Sequence, residues 1–148
     1  MRGIMYQHIL IATDGSEHAA RAAEHALRLA RALDARVTAV SIIPPWAKVA
    51  GYDAIWYTDT LYKERAHATA QGHLDAVRQA AKEHGVALET AVAEHDQLHS
   101  GILATAEKLG CDLIAMGSHG RSGLSAVLLG SVTSKVLTHG HVPVLVCR

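Results

Sequence analysis

The sequence predicts an α/β fold: a single-domain, doubly wound sheet of five parallel strands with helices on both faces. Short apolar runs rich in β-branched residues, HILIAT at 8–13 and RVTAVSII at 36–43, are typical of strands buried on both faces. Longer amphipathic segments alternate with these runs along the whole chain. Because parallel strands in one sheet are joined by right-handed crossovers, this alternation places helices on both sides of the sheet.

The first helix is expected over residues 17–33, followed by a long helix over residues 59–85. The second strand lies between these two helices and ends at Pro44 and Pro45, because proline cannot donate a hydrogen bond to a neighbouring strand. Periodicity indicates the buried positions of the first helix as Ala20, Ala23, Leu27 and Ala30. In the long helix, the candidate inward positions are Leu61, Ala68, Leu74, Val77 and Ala81.

The second half of the chain continues the alternation. Strands are predicted at 87–93, 113–116 and 142–146, with a short helix at 100–109 closed by Gly110. A glycine-rich loop follows the fourth strand. Periodicity alone starts the next helix near Leu124 and ends it at Thr138.

Composition excludes several classes of protein. A length of 148 residues corresponds to one domain, and 49% hydrophobic with 19% charged residues excludes a disordered chain. Fourteen basic residues balance fourteen acidic ones, so we expect no nucleic acid bound through charge. We find no apolar run long enough for a membrane span and no secretory signal. Two cysteines cannot form a disulfide or zinc framework, so we expect a cytoplasmic protein.

The strongest candidate site is the segment GSHGRSGLSAVLLGS at 117–131. Glycines at 117, 120 and 123 let backbone N–H groups approach an anion closely, and Arg121 could reach a phosphate. The segment lacks the lysine of the GxxxxGK[ST] loop and does not match GxGxxG. From composition alone, a glycine-rich turn that only packs a helix on a strand is the alternative.

The spacing of Gly117, Gly120 and Gly130-Ser131, with two and then nine residues between them, resembles the nucleotide signature of the universal stress protein family. The opening ILIATDGS, the phrase CDLIAMGSHG and the closing VPVLV match the same family. The resemblance covers the whole chain. It implies an ATP-binding protein of the stress response, with Mg²⁺ accompanying the nucleotide, and it moves the start of the last helix to Ser131.

The resemblance also implies a role for individual residues. Asp14 would contact the ribose and adenine end, although Asp14 or Ser16 could instead cap the first helix. Val40 would pack on adenine, although an ordinary core valine is an equal interpretation. The full set of expected nucleotide-binding residues is Ala12, Thr13, Asp14, Val40, Met116, Gly117, His119, Gly120, Arg121, Gly130, Ser131, Val132 and Thr133.

Assembly and activity follow from the same resemblance. It implies a homodimer through the last strand, residues 142–146, which we expect at a sheet edge. Hydrolysis is expected to be slow at most, because we find no catalytic base and no lysine clamp; autophosphorylation at Thr13, Ser131 or Thr133 is a weaker analogy. A rival hypothesis is a nucleotide-independent, partner-binding homodimer that acts through the aromatic loop at 46–58.

Two further candidates rest on the residues alone. His95 and His99 have the spacing of zinc ligands on a helix, but no third ligand is evident, so no metal site is predicted. Cys147 is expected to be a small apolar filler of the core.

Overall fold

The computed structural model describes residues 5–45, 59–120 and 128–148. Within these ranges the five strands are β1 (His8–Ala12), β2 (Arg36–Ile43), β3 (Leu88–Glu94), β4 (Leu113–Gly117) and β5 (Val144–Cys147). The helices are α1 (Glu17–Leu33), α2 (Asp59–His84), α3 (Leu98–Leu109) and α4 (Ser131–His139). Every strand and helix predicted from the sequence is present, and α4 begins where the family resemblance placed it, not at Leu124.

All five strands are parallel, in the order β3-β2-β1-β4-β5. The order reverses between β1 and β4, because the chain builds outward from β1 first on one side and then on the other. This arrangement is the predicted doubly wound α/β sheet. Its topological switch point lies at the carboxyl ends of β1 and β4, where ligands bind in folds of this class.

Two apolar clusters cover the two faces of the sheet. Helices α1 and α2 pack on one face, where Leu27 and Leu74 are completely buried. Helices α3 and α4 cover the other, where Ile102 and Val136 pack against Leu10. Since both faces are covered, the central strands β1 and β4 are buried along their whole length, as their continuous apolar runs predict.

Two of the predicted buried positions are wrong. Ala20 of α1 and Ala68 of α2 are exposed, whereas the buried alanines of these helices include Ala19 and Ala70. Leu61 is only half-buried. Alanine is a weak marker of a helix face because it occurs on both faces, so a stripe of alanines can be misplaced by one or two residues.

The ends of α1 follow from local chemistry. The Ser16 side chain accepts a hydrogen bond from the backbone N–H of Ala19 and thereby caps the helix. At the other end Asp34 adopts a left-handed conformation, φ 54°, and its N–H bonds the carbonyl of Ala30. The helix therefore starts immediately after the loop that follows β1, which fixes the position of that loop. In the described ranges, no helix is both long and apolar enough to cross a membrane.

Candidate functional site

A cavity that is open to solvent on one side, with about 550 Å³ of empty space when that open solvent is counted, lies at the carboxyl ends of β1, β2 and β4. Its position is the topological switch point of the sheet, where folds of this class bind their ligands. The lining residues are Ala12, Thr13, Asp14, Ala19, Val40, Ile42, Leu98, Ile102, Met116, Gly117, His119, Gly120, Val132 and Thr133.

The turn after β1 presents Asp14 to the cavity. The carboxylate oxygen Oδ1 accepts a hydrogen bond from the N–H of Ser16 at 3.0 Å, and the Thr13 hydroxyl accepts one from Gly15 at 3.2 Å. Gly15 has φ +78° and lies against the His73 ring, where a Cβ would meet Cδ2. Of the two residues expected as a possible cap of α1, Ser16 is confirmed as the cap and Asp14 is not the cap. Its carboxylate stabilises the turn and faces the cavity.

Two glycines of the signature lie in close contact with other groups of the site, Gly120 with the Asp14 side chain and Gly130 with backbone atoms. An ideal Cβ on Gly120 would lie 2.6 Å from Oδ2 of Asp14. A Cβ on Gly130 would lie 3.1 Å from the carbonyl oxygen of Ser118 and 3.2 Å from Cα of His119. The N–H of Gly130 donates to that same Ser118 carbonyl at 2.6 Å. The strand end at 117–120 and the start of α4 are therefore held together with no room for side chains between them.

The N-terminus of α4 lies beside this cradle. Gly130 occupies the N-cap position and provides no capping side chain. The first N–H groups of a helix have no intrahelical acceptor and carry a partial positive charge, which is suited to an anion. The Thr133 hydroxyl, which is buried, donates to the carbonyl of Gly117 at 2.8 Å and so fixes α4 against the end of β4. Ser131 is exposed on the same first turn.

The opposite part of the cavity is apolar. Val40 and Met116 are buried on the sheet, and they face Ile102 of α3. Leu98, the first residue of α3, lines the cavity while 40% exposed. The side chains named here are all apolar, so this half of the cavity is suited to a flat apolar group of a ligand.

Ten of the thirteen predicted site residues line the cavity. Gly130 and Ser131 lie next to it, at the start of α4, and do not line it. Arg121 lies outside the described residues, as does the 46–58 loop of the rival hypothesis. The sequence interpretation missed four lining residues, which are Ala19, Ile42, Leu98 and Ile102. They share one feature in the sequence: each is an apolar residue near the end of a strand or within the first five residues of a helix that borders the switch point.

The remaining histidine and cysteine candidates are explained by packing. His99 is buried between α3 and α4, with its ring centroid 5.5 Å from that of His139. Burial lowers the pKa of His99, and the charges of Lys135, His139 and His95 lower it further. Among the described residues, no group of three or more His, Cys, Asp or Glu side chains is placed to hold a metal ion.

Both cysteines are buried within the protein. Burial raises the pKa of the Cys111 thiol to about 11, and burial likewise raises the pKa of Cys147. A thiol that stays protonated at neutral pH is a poor nucleophile, so both residues act as small apolar side chains.

Comparison with known proteins identifies the family. A sequence model of the universal stress protein family matches residues 5–148. A universal stress protein of Methanocaldococcus jannaschii is 36% identical over 146 residues, which is 97% of this chain and 83% of that protein. Among solved structures, a universal stress protein from Lactobacillus plantarum superposes with a TM-score of 0.81 at 28% identity, covering 97% of this chain and 98% of that one.

A further solved structure is of a universal stress protein in complex with cAMP. It has a TM-score of 0.71 at 25% identity and covers 97% of each chain. Solved universal stress proteins of this kind have the nucleotide alpha-hydrolase-like fold, and the five-stranded parallel sheet of this chain belongs to the same class. From its sequence and its structure alike, the chain belongs to the universal stress protein family.

Proposed function

We propose that this chain is a cytoplasmic ATP-binding protein of the stress response, in which nucleotide occupancy regulates the surface offered to a partner. The observation that carries the proposal is the division of the cavity into two unlike halves. One half is apolar, between Val40 and Ile102; the other is a glycine cradle beside the N-terminus of α4. A nucleotide has the same division, with a flat base at one end and phosphates at the other.

The residues present fit an adenine nucleotide. Val40, Met116, Leu98 and Ile102 would pack on the base, and the Asp14 carboxylate could accept hydrogen bonds from ribose hydroxyls. Gly120 would allow phosphate oxygens to reach backbone N–H groups, because any side chain at this position would occupy the space next to Asp14. Mg²⁺ would accompany ATP on its phosphate oxygens, as it does in many nucleotide sites.

One relative supports the class of ligand. The universal stress protein solved in complex with cAMP has an adenine nucleotide, and it covers 97% of this chain at 25% identity. Its ligand supports an adenine nucleotide as the class. The preference for ATP over other adenine nucleotides rests on the glycine spacing and on the helix N-terminus beside it.

A regulatory role fits this cavity better than fast catalysis. Of the described residues that line it, only Asp14 and His119 carry groups that titrate, and none is a lysine that could clamp the terminal phosphates. Fast phosphoryl transfer depends on such charge stabilisation. We therefore expect phosphate release well below ~1 s⁻¹, the lower end of common enzyme turnover.

The first experiment is to identify what the protein carries. Freshly purified protein is denatured and filtered, and the filtrate is separated by anion exchange with detection at 260 nm. Near-stoichiometric ATP or another adenine nucleotide supports the proposal. If the filtrate contains no nucleotide, the protein is titrated with Mg-ATP in a calorimeter. Failure to bind there as well would contradict nucleotide binding and favour the partner-binding hypothesis. Initial rates of phosphate release then test for turnover.

We further propose that the protein is a homodimer through β5. This strand forms one edge of the sheet, and Val144, Leu145 and Val146 are each partly exposed. An apolar edge strand favours pairing with a second copy. Sedimentation equilibrium should give twice the chain mass, and Val146→Lys should shift it toward the monomer. A monomer throughout the micromolar range would contradict this assembly.

A further inference from the structure

Two histidines from different parts of the chain contact each other at the rim of the cavity. The ring centroids of His18 and His119 are 5.5 Å apart and the rings are tilted by 56°. His119 follows β4 and lines the cavity, whereas His18 lies in the first turn of α1. Gly117 makes the contact feasible, because a Cβ there would lie 2.7 Å from Cβ of His18.

The His119 ring is oriented by its neighbour. Its Nδ1 lies 3.0 Å from the hydroxyl of Ser118, which is itself buried at 2% exposure. The main chain at Ser118 is fixed in turn, since its N–H donates to the carbonyl of Cys147 at 2.6 Å. One ring of the pair is therefore held in the cavity wall, and the other is carried by a helix that packs directly on the same strand end.

The described groups around the pair supply little fixed positive charge to the cavity. Asp14 contributes a carboxylate next to Gly120. On α1, Glu17 lies 3.9 Å from Arg21, whose guanidinium donates to the carbonyl of Arg148 at 3.0 Å and does not line the cavity. His73 of α2 packs on Gly15, behind the Asp14 turn.

A polyphosphate in this cavity needs cationic partners. ATP brings three to four negative charges, and a helix N-terminus offsets only about half of one. Of the described lining side chains, imidazole alone can become a cation. Histidine is the side chain that gains and loses a proton between pH 5 and 8. Two adjacent cationic rings repel each other in the empty cavity, and phosphate oxygens between or beside them remove that penalty.

We propose that His18 and His119 form a proton-dependent clamp for the polyphosphate of the nucleotide, so that ATP binding takes up protons and strengthens as the pH falls. This inference rests on the proposed function and adds His18 to the site. Linkage sets the sign: a ligand that stabilises the protonated rings binds more tightly where protons are abundant. We expect ATP to bind about tenfold more tightly at pH 6 than at pH 8. Adenosine, which has no phosphate, should show no such dependence.

The test is calorimetric titration of the full chain with ATP at pH 6 and pH 8, in buffers that differ in their enthalpy of ionisation. The buffer dependence gives the number of protons taken up for each ATP bound. His18→Gln, His119→Gln and the double variant keep a polar side chain of similar length. His25→Gln, at an exposed position on the same helix, is the matched control. The double variant also measures the protons taken up by ATP itself.

The inference is supported if proton uptake falls in each single variant and is lowest in the double variant, while His25→Gln matches the wild type. It is overturned if the wild type and the folded double variant take up the same number of protons. Absence of ATP binding at both pH values is a different outcome, because it contradicts the proposed function itself. Should a variant fail to fold, NMR titration of the imidazole C2–H signals in the wild type decides. ATP must then move two histidine titration midpoints upward, and none moving would overturn the clamp.

Discussion

Gly120 lies so close to Asp14 that no side chain fits between them: an ideal Cβ on this glycine would lie 2.6 Å from the carboxylate oxygen Oδ2. This contact joins the first strand's loop to the fourth strand's loop across the switch point of the sheet. The two segments are 106 positions apart in the sequence, yet together they form one wall of the cavity. Any side chain at position 120 would therefore displace the Asp14 carboxylate from the place it has in this wall.

Gly120→Val should weaken ATP binding by at least about tenfold, or ~1.4 kcal/mol. The valine side chain would displace the Asp14 carboxylate or fill the space for phosphate oxygens. Calorimetric titration measures the loss, and circular dichroism establishes that the variant is folded. Unchanged affinity in a folded variant would show that the nucleotide does not use this wall.

Gly72 provides the matched control. It lies in the middle of α2, is exposed, and has nothing within 4 Å of an ideal Cβ. Gly72→Ala should leave ATP binding unchanged and should stabilise the protein by about 0.5–1 kcal/mol, because alanine loses less backbone entropy in a helix. Denaturant unfolding measures the gain. A loss of stability would mean that this stretch of α2 is not a regular helix in solution.

Asp14→Asn tests the proposed contact of Asp14 with the ribose while it keeps the hydrogen bond that stabilises the turn. Asparagine keeps an oxygen to accept from the N–H of Ser16, so the turn should persist. It replaces the second carboxylate oxygen with a donor, and adenosine binding should weaken about tenfold because a hydrogen bond to a charged group is lost. The binding of 2′,3′-dideoxyadenosine should be weak in both proteins and insensitive to the substitution. Equal losses for both nucleosides would exclude a ribose contact.

Thr133→Val should destabilise the protein by about 1–3 kcal/mol, because it leaves the buried carbonyl of Gly117 without the hydroxyl that donates to it. Thr133→Ser retains the hydroxyl and should cost less. Thermal unfolding compares the two variants. If Thr133→Val, which keeps the methyl group, leaves the stability unchanged, the hydrogen bond to Gly117 makes no net contribution.

The sequence predicted the sheet well because both faces are covered. β1 and β4 are buried on all sides, so their runs are continuously apolar and unmistakable. Periodicity was less informative where alanine dominates, and Ala20 and Ala68 were placed on the wrong face. The periodicity of apolar residues also did not predict the start of α4, which it placed near Leu124 and not at Ser131. Gly130 marks it through a close approach to Ser118 that only the folded chain shows.

The site was predicted less completely than the fold. The family spacing located the glycines and Asp14, which act through backbone geometry and leave a clear pattern. Leu98 was missed because α3 was expected to start at Ser100, two residues late, whereas Ile102 lies inside the expected helix and was not recognised as a cavity residue. An apolar residue in an amphipathic helix does not indicate whether it faces core or cavity. That distinction depends on how α3 packs on β2. The two elements are in close contact at Gly101, where an ideal Cβ would lie 2.9 Å from Cγ2 of Ile42.

Acidification should destabilise the packing of α3 against α4 through His99. Burial lowers the pKa of His99, and Lys135 and His139 from α4, together with His95, lower it further. The unfolded chain therefore binds a proton at this residue more readily than the folded protein does. The stability that neutral His99 allows is complete above the unfolded value near 6.5 and is lost as the pH falls through the lower, folded value.

Thermal unfolding from pH 7.5 to 5.0 tests this mechanism. In His99→Gln, which cannot take up the proton, Tm should fall less steeply over this range than in the wild type. Lys135→Gln should reduce the slope in part, because it removes one of the charges that oppose protonation. His67→Gln is the control, since His67 is exposed on α2 and away from this packing. If His99→Gln and His67→Gln both reproduce the wild-type slope, the acid sensitivity of the fold arises elsewhere. A gentler slope in His99→Gln alone would assign the acid sensitivity to His99. This histidine is buried between α3, which lines the apolar half of the cavity, and α4, whose N-terminus lies at the phosphate end.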